Sequence, residues 1–302
     1  MTEDWREALL ALLPHSVASP LAGIDAARAE RVQELRFRVG QPAEAVADGK
    51  NMLFPPALDS KKMEELVAAL CGYARYAYEE QMAQGFIPLA GGHRAGVCGK
   101  LTRTPEGRLH MKGVTSVCIR IARNVPGASA PIRPYLLEGS RVRRVLLLGP
   151  PGCGKTTVLR DAALYLSDAC GLHVGVADER EELFSCGLEP GVAARIDVLA
   201  GAEKAQAMRM LLRSMAPQVL VTDEVGRMED VDALLDASRC GVGLLASAHA
   251  SVLEDVLQRP ALRMLHEAKA FEIYLFLGTC GRLEWACGGD GKALTCAEGR
   301  PV

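Results

Sequence analysis

The chain has 302 residues, 49% of them apolar, so it is long enough to form two domains that each bury a core. Its 35 Lys and Arg residues nearly balance 37 Asp and Glu residues, and the formal charge of -2 excludes a general attraction to nucleic acids or anionic membranes. Contact with a polyanion would therefore have to be local.

The ten cysteines lie between Cys71 and Cys296 without a Cys-x-x-Cys pair or zinc-ligand spacing. This pattern is typical of reduced thiols rather than of a disulfide scaffold or a metal site. The N-terminus lacks the basic-then-apolar order of a secretory signal, and no apolar run reaches the roughly 18 to 20 residues that span a bilayer. We expect a cytoplasmic protein that reaches a membrane through a partner.

The first part of the chain, residues 1–125, predicts an α+β domain. Apolar residues at helical spacing predict one helix at 3–13 and another from Asp59 and Ser60 to Leu70, extending as far as Tyr78. Alternating polar and apolar residues predict a strand at 34–39, and a glycine-rich turn at 91–99 leads into another strand, which is followed by a strand at 115–122. A segment rich in Pro and Gly follows, and we expect residues 126–140 to be a linker.

The remaining residues, 141–302, predict strands and helices in alternation. Four apolar runs have the continuous character of strands buried on both faces, at 144–148, 173–178, 219–223 and 243–247. Residues 271–277 and 282–285 predict an antiparallel hairpin at the sheet edge. We therefore expect an α/β fold, with a RecA-like P-loop NTPase core of mostly parallel sheet after the smaller α+β domain.

A phosphate-binding motif follows the first apolar run of this second domain. The segment Gly149–Thr156 matches G-x-x-x-x-G-K-T between a strand and a helix, which is the context that the motif requires. Backbone N–H groups of such a loop bind phosphates, the lysine reaches the β- and γ-phosphates, and the Thr156 hydroxyl is a ligand for Mg²⁺. ATP and Mg²⁺ are thus the expected cofactors. The residues predicted to bind nucleotide are Gly149, Pro150, Pro151, Gly152, Cys153, Gly154, Lys155, Thr156 and Thr157.

A pair of acidic residues, Asp223 and Glu224, ends a later apolar strand. We expect Asp223 to hold the Mg²⁺ shell through water and Glu224 to act as the general base that activates the attacking water. Acidic residues after a strand are often solvated turn residues. Their pairing with a phosphate loop favours the catalytic interpretation.

Two further groups of polar residues follow apolar strands, where α/β sheets place ligand contacts. In the first group, Glu179 could share the water-positioning role and Arg180 could pair with a carboxylate, although the spacing fits a solvated charge cluster equally well. The second is His249, which could sense the γ-phosphate, although a lone histidine after a strand is commonly structural. By spacing alone, Arg94 and Arg120 are surface charges.

Seven segments taken in order resemble the stage III sporulation protein AA family, and the resemblance covers nearly the whole chain. They are residues 85–94, 116–123, 149–156, 178–180, 195–199, 213–217 and 223–226. This family is similar to the secretion ATPases that drive type II and type IV secretion and pilus machines. The chain lacks the tetracysteine insert of many type II motors, so no metal beyond Mg²⁺ is implied.

The resemblance implies an ATP-hydrolysing motor that forms a homo-hexameric ring. In such motors an aspartate box, here Asp178 to Glu181, and a histidine box, here His249, surround the nucleotide. Arginines of the N-terminal domain act across a subunit boundary, and Arg94, Arg120 and Arg123 match those positions best. The expected role is to energise the channel between mother cell and forespore, from the mother-cell cytosol, by docking onto membrane proteins of that complex.

A nucleic-acid translocase or recombinase-like ATPase is the main alternative, because the same core fold serves DNA motors. Its support is one basic cluster, Arg141, Arg143 and Arg144. The net acidity and the lack of aromatic residues within a basic stripe argue against nucleic acid as a partner. A third interpretation is a switch or scaffold that binds nucleotide with negligible turnover, and Glu224 argues against it.

Overall fold

The computed structural model describes residues 5–47, 49–105, 107–122, 125–184 and 195–294. The chain divides into two compact units, Met1–Arg123 and Asn124–Val302. Each unit has an apolar core of its own. None of the helices in the described ranges combines the length and apolarity that crossing a membrane requires.

The first unit combines short helices with an antiparallel sheet. Its helices are α1 (Trp5–Leu12), α2 (His15–Leu21), α3 (Ala26–Ala29), α4 (Ser60–Leu70) and α5 (Glu79–Ala83). Its strands are β1 (Val32–Arg38), β2 (Pro42–Ala47), β3 (Lys50–Ala57), β4 (Phe86–Pro88), β5 (Arg94–Arg103) and β6 (Leu109–Arg120). They form a six-stranded sheet in the order β3-β2-β1-β6-β5-β4, and every neighbouring pair is antiparallel. The predicted α+β domain is confirmed.

One face of this sheet is apolar because apolar and polar residues alternate along its strands. Leu35 and Phe37 of β1 are fully buried, whereas the neighbouring Glu34 and Arg36 are partly exposed. The helix that begins at Ser60 ends at Leu70 rather than at Tyr78. The reason is local, since Gly72 and Tyr73 have φ angles of 55° and 59°, which a right-handed helix cannot contain.

The second unit is an α/β structure. Its helices are α6 (Arg133–Leu136), α7 (Lys155–Asp168), α8 (Lys204–Ser214), α9 (Met228–Arg239), α10 (Leu253–Gln258) and α11 (Pro260–Glu267). Its strands are β7 (Leu137–Glu138), β8 (Arg141–Val142), β9 (Val145–Leu148), β10 (Val174–Asp178), β11 (Ile196–Ala200), β12 (Val219–Thr222), β13 (Gly243–Ala248), β14 (Ile273–Leu277) and β15 (Leu283–Gly288).

The main sheet of this unit has seven strands in the order β11-β10-β12-β13-β9-β14-β15. All neighbours are parallel except β14 and β15, which form the predicted antiparallel hairpin at one edge. The opposite edge is β11, which the sequence did not predict. Its residues 196–199 are only partly buried and its last residue is exposed, so it lacks the fully apolar run that revealed the inner strands.

The strand before the phosphate loop lies in the middle of this sheet and is buried on both faces. Val145 and Leu147 pack with α7 on one face, whereas Leu146 and Leu148 pack in the core of the other face. The parallel order brings the carboxyl ends of β9, β10, β12 and β13 to one edge. All the predicted site residues of this unit follow those four ends.

Residues 126–140, expected to be a linker, fold into the second unit instead. Ile132, Tyr135 and Leu136 are buried in its core. Proline and glycine mark turns in this segment, but the apolar residues between them are core residues, so a composition rich in Pro and Gly does not by itself indicate a linker.

Asp161 of α7 fixes the start of this segment. Its carboxylate accepts hydrogen bonds from the backbone N–H groups of Gly127 and Ser129, both at 2.8 Å, and from the Ser129 hydroxyl at 2.5 Å. Burial raises the pKa of Asp161, but these hydrogen bonds outweigh it and hold the pKa below its usual value. The segment is therefore tied to the helix that carries the phosphate-loop lysine.

We expect Asp161→Ala to lower the free energy of unfolding by about 3 kcal/mol, because the buried N–H and hydroxyl groups of Ser129 and the N–H of Gly127 lose their acceptor. Urea denaturation followed by circular dichroism measures the change. Asp168→Ala on the same helix is the control, since Asp168 is exposed, and it should change stability by no more than about 0.5 kcal/mol. Equal losses in the two variants would contradict the assignment of Asp161.

Candidate nucleotide-binding site

The phosphate loop connects the buried end of β9 to the start of α7. Gly152 and Gly154 have φ angles of 73° and 102°, in the left-handed region that glycine adopts without a steric penalty. Gly149 has a different role, because a Cβ there would lie 2.5 Å from the carbonyl oxygen of Leu277. Gly152 and Gly154 therefore allow the loop to bend, and Gly149 allows it to pack closely against β14.

Lys155, the first residue of α7, is buried within this loop. Its ammonium group donates to the carbonyl oxygens of Gly149, at 2.8 Å, and Pro150, at 2.7 Å. It also lies 3.1 Å from Nδ1 of His249. Burial lowers the pKa of Lys155, while Cys153 and Glu224 act in the opposite direction. A cation is thus held where the loop meets the carboxyl ends of the strands.

Asp223 directly follows β12 and is 1% exposed. Its Oδ2 atom has no hydrogen-bond partner in the described part of the chain. Burial raises the pKa of Asp223 to about 7, with Lys204 opposing the shift and Asp178 adding to it. Buried carboxylate oxygens are normally satisfied, so this oxygen suits a ligand shell that the protein does not itself supply.

Glu224 has an unusual backbone conformation, with a φ angle of 44°. Its N–H donates to the Ser247 hydroxyl at 3.0 Å, and its carbonyl oxygen accepts from the Lys204 ammonium at 2.8 Å. Its carboxylate lies 3.4 Å from Nε2 of His249 and forms an ion pair with Arg180. The backbone is therefore fixed from two sides, while the carboxylate contacts His249 and Arg180.

These contacts join four predicted residues into one continuous chain. Lys155 contacts His249, His249 contacts Glu224, and Glu224 contacts Arg180. The pairing of Arg180 with a neighbouring carboxylate, expected from the sequence, is present. His249 lies between the phosphate-loop lysine and the predicted base rather than in the apolar core.

The aspartate box divides into residues with different surroundings. Asp178 is wholly buried and accepts hydrogen bonds from the N–H groups of Glu182, Leu183 and Phe184, between 2.8 and 3.0 Å. This is the geometry of a turn-forming residue. Glu179 lies 3.1 Å from the guanidinium of Arg227, so the polar contact of its carboxylate is with an arginine. Its share in positioning water stays a prediction.

Lys204, the first residue of α8, is a site residue that was not predicted from the sequence. Lys204 is 6% exposed, and its ammonium contacts the Glu224 carbonyl and lies 3.9 Å from Oδ2 of Asp230. A signal was present, because Lys204 lies at positions i, i+4 and i+7 with the buried Met208 and Leu211. A lysine in an apolar stripe indicates a buried partner.

Arg160 of α7 was also missed. It is 8% exposed and donates to the carbonyl oxygens of Leu183 and Glu182, both at 2.5 Å. Burial lowers the pKa of Arg160, with Asp178 acting against the shift. Arg160 therefore connects the helix after the phosphate loop to the turn after Asp178.

The two N-terminal arginines are neighbours within the first unit. Arg94 of β5 and Arg120 of β6 are directly opposite each other in the strand pairing. The Arg94 guanidinium lies 4.1 Å from the centre of the Phe86 ring, and Nε of Arg120 lies 3.6 Å from Glu34. Arg123, the third match, lies outside the described residues. Action of these arginines on the nucleotide stays a prediction.

The basic cluster that supported a nucleic-acid role is paired with carboxylates. Glu138 contacts Arg141 at 2.5 Å and Arg143 at 3.1 Å. Glu272 contacts Arg141 at 2.9 Å and Arg144 at 3.8 Å. These ion pairs reduce the positive charge that the cluster could offer to a polyanion.

The residues at these strand ends fit a nucleoside triphosphate with Mg²⁺. The loop supplies turned backbone N–H groups and a buried lysine, and Thr156 is partly exposed in the first turn of α7. Asp223 supplies a carboxylate oxygen whose hydrogen-bonding capacity is not used by the described residues. Taken with the parallel sheet, this arrangement defines a protein of the RecA-like P-loop NTPase class.

The chain belongs to the family described as Sporulation stage III, protein AA, whose model matches residues 3–287. It is 35% identical over 298 residues to Stage III sporulation protein AA of Bacillus subtilis (strain 168), covering 95% of this chain and 97% of that protein. The resemblance that the sequence motifs indicated is confirmed.

Solved structures of secretion ATPases share the fold. The Yersinia pseudotuberculosis ATPase DotB matches with a TM-score of 0.59 at 13% identity, over 87% of this chain and 75% of that one. The pilus retraction motor PilT with bound ADP matches with a TM-score of 0.57 at 15% identity, over 83% and 75%. At these identities the likeness concerns the fold.

The raised pKa of Asp223 predicts a pH-dependent stability. The unfolded carboxyl has a pKa near 3.8 and the folded one a pKa of about 7, so between these values the folded state binds the extra proton. The free energy of unfolding should therefore fall as the pH rises through this window.

We expect Asp223→Asn to raise the stability at pH 8 by on the order of 2 kcal/mol, and by less at pH 5, because the buried charge is removed. Thermal unfolding in EDTA without nucleotide measures both values. Asp232→Asn, at an exposed position of α9, is the control. A gain that is the same at both pH values would disprove the ionisation argument.

Proposed function

We propose that the chain binds ATP with Mg²⁺ and hydrolyses it to ADP and phosphate as a secretion-type motor. The single observation that carries the proposal is the series of contacts from Lys155 through His249 to Glu224. It joins a phosphate-binding cation to a carboxylate suited to general base catalysis. A glycine turn with a purely structural role requires neither a buried lysine nor a nearby carboxylate.

The phosphate loop, Gly149 to Thr157, would bind the nucleotide. Its backbone N–H groups and the positive end of α7 hold the phosphates, and Lys155 contributes the cation. Thr156 and Asp223 would hold Mg²⁺, the latter through water. Mg²⁺, when bound, neutralises charge on the β- and γ-phosphates as the bond between them breaks.

Glu224 is the proposed general base. Arg180 and His249 contact its carboxylate, and Lys204 and Ser247 fix its backbone, so the group that takes the proton from water is held in one orientation. Glu179 is a second candidate for positioning the water. Arg94 and Arg120 are proposed to complete the site from a neighbouring subunit.

The motor role rests on family membership and on the shared fold. The Bacillus subtilis relative is a sporulation protein by name, and PilT is named as a pilus retraction motor. We infer a homo-hexameric ring on the mother-cell side that docks onto membrane proteins and energises the channel between mother cell and forespore. Nucleic acid is not a proposed partner, in keeping with the paired arginines around Glu138 and Glu272.

Two substitutions separate binding from hydrolysis. Glu224→Gln should lower ATP turnover by about 100-fold or more and leave ATP binding nearly unchanged, because the amide cannot accept a proton. Lys155→Ala should abolish binding. A phosphate-release assay measures turnover, and calorimetry measures ATP binding. Glu229→Gln, at an exposed position of α9, is the control. Unchanged turnover in Glu224→Gln would favour a nucleotide-binding switch.

The ring predicts a dependence of turnover on protein concentration. Arg120→Ala should lower turnover most at concentrations where light scattering with a slowly hydrolysed ATP analogue detects hexamers, since its partner nucleotide belongs to another subunit. Arg108→Ala, exposed on the same unit, is the control. A loss that is independent of concentration would argue against action across subunits.

A further inference from the structure

The turn between β14 and β15, Thr279–Gly281, lies directly against the phosphate loop. The N–H of Gly281 donates to the carbonyl oxygen of Cys153 at 2.5 Å. A Cβ on Gly154 would lie 2.9 Å from the Gly281 nitrogen and 3.3 Å from the Cys280 carbonyl carbon. Loop and turn are therefore in close backbone contact.

The phosphate loop follows β9, which lies between β13 and β14, so different strand ends flank the loop on its two sides. On one side of β9 lies β13, followed by β12, and these strands carry His249 and Glu224 at their carboxyl ends. On the other side lies β14, and the strand end there leads into the turn Thr279–Gly281. The proposed hydrolytic groups and this turn thus flank the loop from opposite directions.

A nucleotide binds to such a loop in one orientation. The glycine-rich backbone holds the α- and β-phosphates, and the lysine reaches the β- and γ-phosphates. The Lys155 ammonium lies on the β13 side, 3.1 Å from His249. Because the γ-phosphate belongs on that side, the nucleoside, attached through the α-phosphate, leaves the loop toward β14.

We propose that the turn Thr279–Gly281 forms the nucleoside subsite of this site. The inference rests on the proposed nucleotide binding and adds where the base and ribose lie. Thr279 and Cys280 are exposed, whereas Gly281 is buried against Val158, whose Cγ2 would lie 2.7 Å from a Cβ at position 281. Gly281 therefore fixes the turn against α7, and in this proposal the exposed side chains of Thr279 and Cys280 are those that would contact the nucleoside.

Cysteine alkylation tests this placement directly. Among the described cysteines, Cys98, Cys240 and Cys280 are exposed, so the first two are internal controls. The full chain is treated with iodoacetamide, and the rate at each cysteine is measured by peptide mass spectrometry. Mg-ADP at ten times its dissociation constant should slow alkylation of Cys280 by about tenfold, since about one tenth of the sites remain empty. Tripolyphosphate, which lacks a nucleoside, should leave the rate nearly unchanged.

Each other outcome has a definite meaning. Equal protection by tripolyphosphate would show that ordering of the phosphate loop is sufficient, and would overturn the subsite. Calorimetric binding of Mg-ADP without protection of Cys280 would also overturn it, while leaving the proposed function intact. Absence of any Mg-ADP binding would overturn both.

A substitution supplies independent evidence. Cys280 is exposed, so Cys280→Trp adds bulk at the surface of the turn. It should weaken Mg-ADP binding by about tenfold, equivalent to about 1.4 kcal/mol, and leave tripolyphosphate binding unchanged. Cys240→Trp should change neither. Equal weakening of both ligands by Cys280→Trp would indicate damage to the phosphate loop and overturn the subsite.

Discussion

The site depends on one electrostatic contact, that of the Lys155 ammonium with the carbonyl oxygens of its own loop and with His249. The contact is possible because β9 and β13 are parallel neighbours whose carboxyl ends coincide. Through His249 and Glu224 it extends to β12, and through Arg180 to the turn after β10. A local sequence motif therefore becomes a site spanning four strands that are distant in sequence.

The features that could be predicted from the sequence are those encoded by patterns within a few residues. The phosphate loop, the inner strands and the acidic pair after β12 each have a signature within a few residues. The strand β11 was missed because an edge strand has no continuous apolar run, and residues 126–140 were misjudged because their turns hide core side chains. Lys204 and Arg160 gain their meaning from partners far along the chain, which spacing cannot reveal.

Several groups in the site oppose folding. Asp223 is a buried carboxylate with one oxygen that receives no hydrogen bond from the described residues, and Glu224 has a positive φ angle. Each is disfavoured by itself, and each is retained by surrounding contacts, among them the buried lysine at position 204. Strain and burial concentrated at one edge of an otherwise apolar sheet are typical of a place selected for chemistry rather than for stability.

The support of the phosphate loop by Gly281 has a consequence for the order in which the protein becomes competent. The ribosome completes the phosphate loop before it makes β14, the strand that supports the loop on one side. Four other strands of the same sheet are made between them. Closing that long-range pairing is slow compared with forming the adjacent helix. A nascent chain that has completed Gly149–Thr156 therefore carries the motif without its support, and nucleotide affinity should be reached only after the β14–β15 hairpin has left the exit tunnel.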